Sequence, residues 1–502
     1  MTDLLRAAGV ATLSLALFAA PASAQTTLPT NPSPAESGQS RNPAEPTVSA
    51  YPSAAAGDGT GTGGYNLSRW AEDWRRYADP AKRDDPLDRL KFLPLDNDGD
   101  VYLTLSGELR LRVNEVTNPN LRSGEAQRQD INRLVAGADL HVGPHLRAYG
   151  EVAHAGISGQ NIGTPAANLE NGLVIQQAFV EGDATVAGVE FGARYGRQEF
   201  TDGSNLLTSQ RDNNTIRFVL NGLRGWARGK TLRADVFDLK YTTFGTGGPG
   251  DDVTDHGHRF SGVTAGVVVP TDWFGTSKLY LDPFVWRLRS TNTVWGATSG
   301  REVRDYYGAR LWGDVDRVTL DWTVNHQGGT FNGQKIDAWQ VLMAQTWRLG
   351  AKSTAPRIGF HADYASGGGS YTGGTLRNSF APFGNNIYYS YALFLTPTNL
   401  IALAPNVTFS PHKKLRITGE YQLAWRDDVR DAVYRANGSA FAGTQNVSAS
   451  KIADVARLQL VYSYSPRLSF TGRYEHLAAG PSLTHAGYAS SDFLAGWVSF
   501  RF

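Results

Sequence analysis

Residues 101–113 read VYLTLSGELRLRV, and Thr104, Ser106, Glu108, Arg110 and Arg112 occupy alternate positions. The positions between them hold Val101, Leu103, Leu105, Leu109, Leu111 and Val113. Successive side chains of an extended strand point to opposite faces, so this stretch carries guanidinium and carboxylate groups on one face only. The same alternation puts Arg147, Arg194, Arg233, Arg310, Arg416, Arg426, Arg457 and Arg473 on polar faces elsewhere, together with Asp139, Glu151, Glu190, Asp235, Asp321, Asp363, Glu420 and Glu475. A guanidinium is a planar fork of donors that matches a carboxylate in two-point contact and keeps its charge at physiological pH. Recognition of anionic groups is the chemistry such faces offer. The acids offer the opposite outcome: Glu108 lies two residues from Arg110 and Glu475 two from Arg473, close enough to neutralise them.

A second polar group lies in residues 367–398, where Asn385, Asn386, Tyr388, Tyr389 and Tyr391 crowd together. Aromatic faces stack on sugar rings and side-chain amides bond hydroxyls. The competing reading is an aromatic girdle at a lipid boundary. Other signals are weak. DNDGD at 96–100 lacks the glycine and glutamate of a calcium loop, and a turn is expected there. The histidines show no metal spacing, and no metal or other cofactor is expected. No serine or cysteine nucleophile can be set beside His326 or His476 from spacing, so an enzyme acting on lipid is the least favoured function.

The elements that would position these residues follow from period and composition. Residues 1–24 read as a signal peptide: Arg6, an apolar run at 7–20, and Ala-Ser-Ala before Gln25. Residues 25–64 have linker composition. In 65–100, Leu67, Trp70, Trp74 and Tyr77 recur at spacings of three and four, which predicts a short amphipathic helix capped by Ser68 ahead of Pro80. From residue 101 to 502 the period is two. About eighteen segments of roughly 9–13 residues fit tilted strands that cross a bilayer, whereas soluble strands run about 5–6. Short turns (143–145, 183–186, 314–317, 410–413, 465–467) alternate with mostly long loops (114–130, 157–171, 199–213, 367–398, 427–453), the pattern of outer-membrane barrels with both barrel ends in the periplasm. The final strand, DFLAGWVSFRF, ends on Phe502, as an outward apolar face against lipid allows. Residues 173–181 and 259–269 fit either register. The chain has no cysteine and a formal net charge of +1, which removes disulfides and thiolate chemistry and gives no basis for nucleic-acid binding.

Several stretches resemble the alginate export family of outer-membrane porins, in order from about Trp70 to Phe502: RWAEDWRRYADPAKRDDPLDRLKFLPL, LSGELRLR, QQAFVEG, GARYGRQEF with a Gly-Arg-Gln turn at 196–198, PRIGFHADYASG, TPTNLIALAPNVTF, HLAAGPSL and the closing DFLAGWVSFRF. Asn221-Gly222 and Gly367-Gly368 depart from the family's Asp-Gly and acidic positions. The resemblance implies an all-β, eighteen-stranded monomeric barrel in the outer membrane, with lipid and lipopolysaccharide outside and an aqueous lumen inside. It implies passive passage of an anionic sugar or polyuronate. A general small-anion or sugar uptake porin is the alternative. A receptor-type transporter would need a larger plug than 25–100 supplies; residues 65–95 are expected to close the periplasmic mouth or dock a periplasmic partner.

Overall fold

The computed structural model describes Tyr51 and residues 64–271, 273–274 and 277–502. The expected signal peptide, and the expected linker apart from Tyr51 and Gly64, lie outside the described residues.

A two-residue ribbon, β1 (Leu93–Pro94), leads into a closed antiparallel barrel of eighteen strands. These are β2 (Val101–Thr117), β3 (Ala126–Val142), β4 (Leu146–Gln160), β5 (Asn171–Val186), β6 (Val189–Gln198), β7 (Leu220–Arg228), β8 (Leu232–Thr243), β9 (Val253–Val268), β10 (Ser277–Trp295), β11 (Thr298–Val315), β12 (Val318–Phe331), β13 (Gln334–Arg348), β14 (Arg357–Ala365), β15 (Leu400–His412), β16 (Leu415–Trp425), β17 (Lys451–Ser463), β18 (Leu468–Ala479) and β19 (Ser491–Arg501). Each pairs with the next, and β19 returns to β2, from Phe493 opposite Val116 to Arg501 opposite Glu108. Closure leaves no unpaired edge, the condition for a sheet in lipid. Phe502 extends the seam by exchanging backbone hydrogen bonds with Gly107 at 3.0 and 3.1 Å.

The alternation holds. Leu109, Leu111, Val236, Val263 and Val285 are exposed on the outer wall, while Ser106, Glu108, Arg110 and Arg112 are buried inside. No described helix is long and apolar enough to cross a membrane. The two ambiguous segments have a physical cause. In β5 a bulge against β4 turns consecutive Gln176 and Gln177 inward, which breaks the count of two. In β9 an irregularity shifts the partner of Lys240 and Tyr241 from Arg259 to Asp255.

Several local expectations change. β5 runs through Val186, so the turn after it is Ala187–Gly188 and not 183–186; both residues have positive φ, +50° and +78°, as a two-residue hairpin with primed geometry requires. Gly196 to Gln198 are not a turn but the end of β6, paired with β5 and β7. At the long-loop end, 296–297 and 332–333 are tight turns between the long strands β10 to β13. The predicted amphipathic helix is instead two 3-10 turns, Arg69–Ala71 and Arg75–Ala78, and two more follow the prolines at Pro80–Lys82 and Pro86–Lys91. A helix this short gains little from its own hydrogen bonds, so side-chain docking decides the shape. Ser68 does not cap; its hydroxyl donates to Glu199 at 3.0 Å.

Packing inside the wall is tight where glycine allows it. A Cβ on Gly308 of β11 would lie 2.4 Å from the Phe284 ring and 2.6 Å from the Val324 carbonyl oxygen. Gly308→Val is expected to destabilise the barrel by about 2 kcal/mol through overpacking. The check is the temperature at which the compact band unfolds in gel-shift assays, which should fall.

Candidate functional site

The lumen is occupied by chain from both ends. From the short-turn end, Tyr65, Arg69, Trp70, Trp74, Lys91 and Phe92 are buried against inward residues of the barrel, while residues 78–82 stay exposed. Trp70 packs on Phe179 and under the Arg194 guanidinium, 3.6 Å from the ring centroid. Tyr65, Trp74, Tyr77, Phe92 and Tyr102 form one aromatic cluster. Arg69 pairs with Glu108 and with Glu151 at 2.9 Å. Arg467, in the β17–β18 turn, grips the segment through Asp85, Asp88 and Tyr65. The segment is thus docked at the short-turn end by Arg69, Trp70 and Arg467. Asp96 accepts from the Gly99 and Val101 amides at 2.7 and 3.0 Å, which makes DNDGD the expected turn. Tyr51 also sits against an inward residue, its ring 5.2 Å from that of Tyr280.

Lys91 is fully buried, 3.6 Å from Glu72 and over the rings of Trp74 and Tyr65. Burial pushes its pKa down to about 8, against the pull of Glu72. Undocked, the lysine would keep its proton up to the ordinary lysine value. Between those two values the undocked state binds more protons, so docking strengthens as pH rises from about 8. Closed dwell times in bilayer recordings are expected to lengthen over that window, and Lys91→Met to flatten the response.

From the long-loop end, two connections fold inward. The β6–β7 connection, 199–219, meets the N-terminal segment: Gln210 donates to the Ser68 hydroxyl at 2.8 Å, and Arg217 donates to the Leu67 carbonyl at 2.7 Å. Its Asp212 accepts from Arg110, Arg133 and Arg217. The β14–β15 connection, 366–399, lies beside it, with the Phe383 amide on the Leu207 carbonyl at 2.9 Å.

The expected arginines fall into two sets. Arg110 pairs with Glu108 and Asp212, Arg147 with Asp139 and Glu181, and Arg194 with Glu181. Arg233 meets Asp202, Asp235 and Asp282; Arg310 meets Asp321; Arg457 meets Glu420, which also faces His361 at 3.5 Å, while Asp363 holds the other nitrogen of that ring at 2.7 Å. Inward charges expected to stand in water are therefore largely buried and paired. Arg112, Arg416, Arg426 and Arg473 have no carboxylate partner among the described residues. Arg426 is not a lumen wall group: it donates to the carbonyls of Val429, Asp431, Thr444, Val447 and Ala449, and so organises its own loop.

Arg112 and Arg473 stand apart. Their guanidinium carbons lie 5.0 and 4.9 Å from the centroid of Trp497, and both donate to the side-chain oxygen of Asn213, at 3.1 and 3.0 Å. Tyr391 lies beyond, 4.8 Å from Arg473 and 5.3 Å from Arg457. The result is a column, Arg457–Tyr391–Arg473–Trp497–Arg112, that crosses β17, β18, β19 and β2. Aromatic faces favour a cation, and guanidinium planes stack on them, so rings can hold Arg112 and Arg473 without acids, whereas Arg457 also keeps Glu420.

The 385–391 group faces the lumen and is not an outer girdle. Tyr388 and Tyr389 pack on His361, and Asn386 bonds the Ala436 carbonyl and Thr396. Asn385 donates its amide to the Asn205 carbonyl. Glu475 is taken by the same loop, through Ser390 and the Tyr391 amide, rather than by Arg473. Sequence reasoning missed Arg69, Arg133, Arg217 and Asp212. Arg133 was masked because inward Ile131 and Val135 are apolar, and Asp212 and Arg217 sit on a loop without period. His326 and His476 do find acids on the outer wall, Asp337 and Asp492, at 3.0 and 2.9 Å, but no serine or threonine hydroxyl bonds either ring among the described residues. The described residues include no cluster suited to a metal; His258 is held by Asp255 and Ser290.

A closed barrel with an apolar outer wall and a polar interior is the architecture of an outer-membrane channel. Solved structures agree in fold. OccD3 (OpdP) of Pseudomonas aeruginosa superposes with a TM-score of 0.53 at 14% identity, covering 80% of this chain and 91% of that one. OccAB1 of Acinetobacter baumannii gives 0.52 at 10% identity, covering 82% and 99%. No curated protein sequence matches. Residues 101–496 match the family described as Alginate export, and the chain belongs to that family.

Proposed function

We propose that the barrel conducts anionic saccharides, uronate oligomers among them, by passive passage along the column of Arg112, Arg473 and Arg457. The observation that carries this reading is the pair Arg112 and Arg473. They are lumenal guanidiniums without a carboxylate among the described residues, and their shared acceptor is the Asn213 amide oxygen. That oxygen occupies the place a uronate carboxylate would take, and the aromatic rings between the cations suit the apolar faces of sugar rings. Asn213 belongs to the 199–219 connection, so withdrawal of that connection would free both guanidiniums at once. Direction of transport is set by the solute gradient, because a passive pore has none of its own.

The test is swelling of liposomes carrying the purified barrel in uronate oligomers and in neutral oligosaccharides of equal length. Faster entry of the uronates is expected. Equal entry of both favours the general-porin alternative and removes the carboxylate preference.

A further inference from the structure

On the outer wall, Lys240, Arg259 and Arg289 lie in one row across β8, β9 and β10. Lys240 is directly opposite Arg259, and Arg259 directly opposite Arg289. Like charges in direct cross-strand register repel, so the row costs stability unless something anionic covers it. Asp238 takes Arg259 through both carboxylate oxygens. Just below, Arg287 is taken by Asp305. The side chains of Lys240 and Arg289 make no hydrogen bond or contact ion pair among the described residues; the acid whose field reaches both is Asp238, already held by Arg259. The surface thus presents four cations to two carboxylates, with the Arg259 and Arg287 side chains 43% and 46% exposed.

The height of the row is informative. β8 rises from the short-turn end at Leu232, and the outward residues below the row are Val236, Val263 and Val285, all exposed. Eight residues of strand from Leu232 to Lys240, at about 3.3 Å each and tilted about 40°, rise about 20 Å. The cations therefore stand at the outer-leaflet edge of the apolar band. Three strands at about 4.8 Å spacing give the row a width of about 10 Å, more than one small ion spans.

We propose that Lys240, Arg259 and Arg289 bind the phosphate-bearing headgroup of an outer-leaflet glycolipid, whose acyl chains lie along Val236, Val263 and Val285. The valines place the acyl chains, and the unpaired cations above them meet the phosphates. The site is on the opposite face of the wall from the lumenal column and does not depend on what the channel carries.

The test uses the full-length barrel in detergent and the double variant Lys240→Gln/Arg289→Gln. Both substitutions are at outward positions that bond nothing described, so folding should be retained. Bis-phosphorylated lipid A, the same lipid dephosphorylated, and inorganic phosphate are added separately, and the unfolding midpoint is read by gel shift. The expected result is a rise of about 3 °C for the wild type with bis-phosphorylated lipid at hundredfold excess over Kd. The rise should be less than half that in the variant and absent with the other two additives. Native mass spectrometry should show retained lipid on the wild type and less on the variant. An equal rise in wild type and variant overturns the proposal, as does a full rise with dephosphorylated lipid or with inorganic phosphate alone.

Discussion

Arg69→Ala together with Trp70→Ala is expected to raise the open fraction of single channels by at least about a hundredfold. Trp70 is buried, with the Arg194 guanidinium held between its ring and that of Phe179, and truncating such a tryptophan costs about 3–5 kcal/mol. That cost falls on the docked state only, because an undocked Trp70 would stand in water. Arg69 adds to it: its removal leaves Glu151 with Tyr149, Gln176 and Gln177 as its remaining bonded partners. About 4 kcal/mol corresponds to roughly a thousandfold in population, so the hundredfold figure leaves room for the 199–219 connection to hold on its own. Planar-bilayer recording of wild type and variant at equal protein loading measures it. Unchanged open probability would mean that residues 64–95 are a fixed part of the lumen wall.

In that loosened barrel, Arg112→Gln with Arg473→Gln is expected to lower the anion-to-cation permeability ratio about tenfold. Two charges about 6 Å from a permeating ion, each worth about 0.7 kcal/mol in water, favour an anion and disfavour a cation by about tenfold each, and screening takes up about half of that combined effect. Reversal potentials across a salt gradient report it, and the shift should shrink as ionic strength rises. Arg147→Gln is the comparison. Its charge is already met by Glu181 and Asp139, so its effect should be the smaller one. Equal effects of the paired and unpaired arginines would remove the distinction between the two sets.

Much of the barrel was legible because lipid outside and polar groups inside impose a period of two, and pairs such as Leu111 and Arg112 obey it without exception from neighbours. The closing Phe502 followed from the same rule. Legibility failed where something other than the wall sets the pattern. A bulge in β5 displaces the count by a residue, and before Arg259 three residues of β9, 256–258, stand without partners on β8. Residues 65–91 have helical spacing, yet their aromatics are spaced for pockets between Phe179, Tyr102 and the β17–β18 turn, which no local pattern encodes. Arg426 apart, the expected arginines are on the inner face, and acids named with them, Glu108, Asp235, Asp321 and Glu420, do pair with them; the partners that were not foreseeable, Asp212 and Asn213, arrive on a loop from the other end of the barrel. Hence the sequence marked Arg110 and Arg112 alike, although one is neutralised by Glu108 and Asp212 and the other is held by an amide and an indole ring.

The most direct measurement is the reversal potential of the Arg69→Ala/Trp70→Ala barrel across a gradient of a sodium uronate oligomer. A potential set by the uronate, collapsing towards zero when Arg112 and Arg473 are both changed to Gln, is the predicted result. A potential set by sodium, or one indifferent to those two arginines, would contradict an anion-conducting lumen.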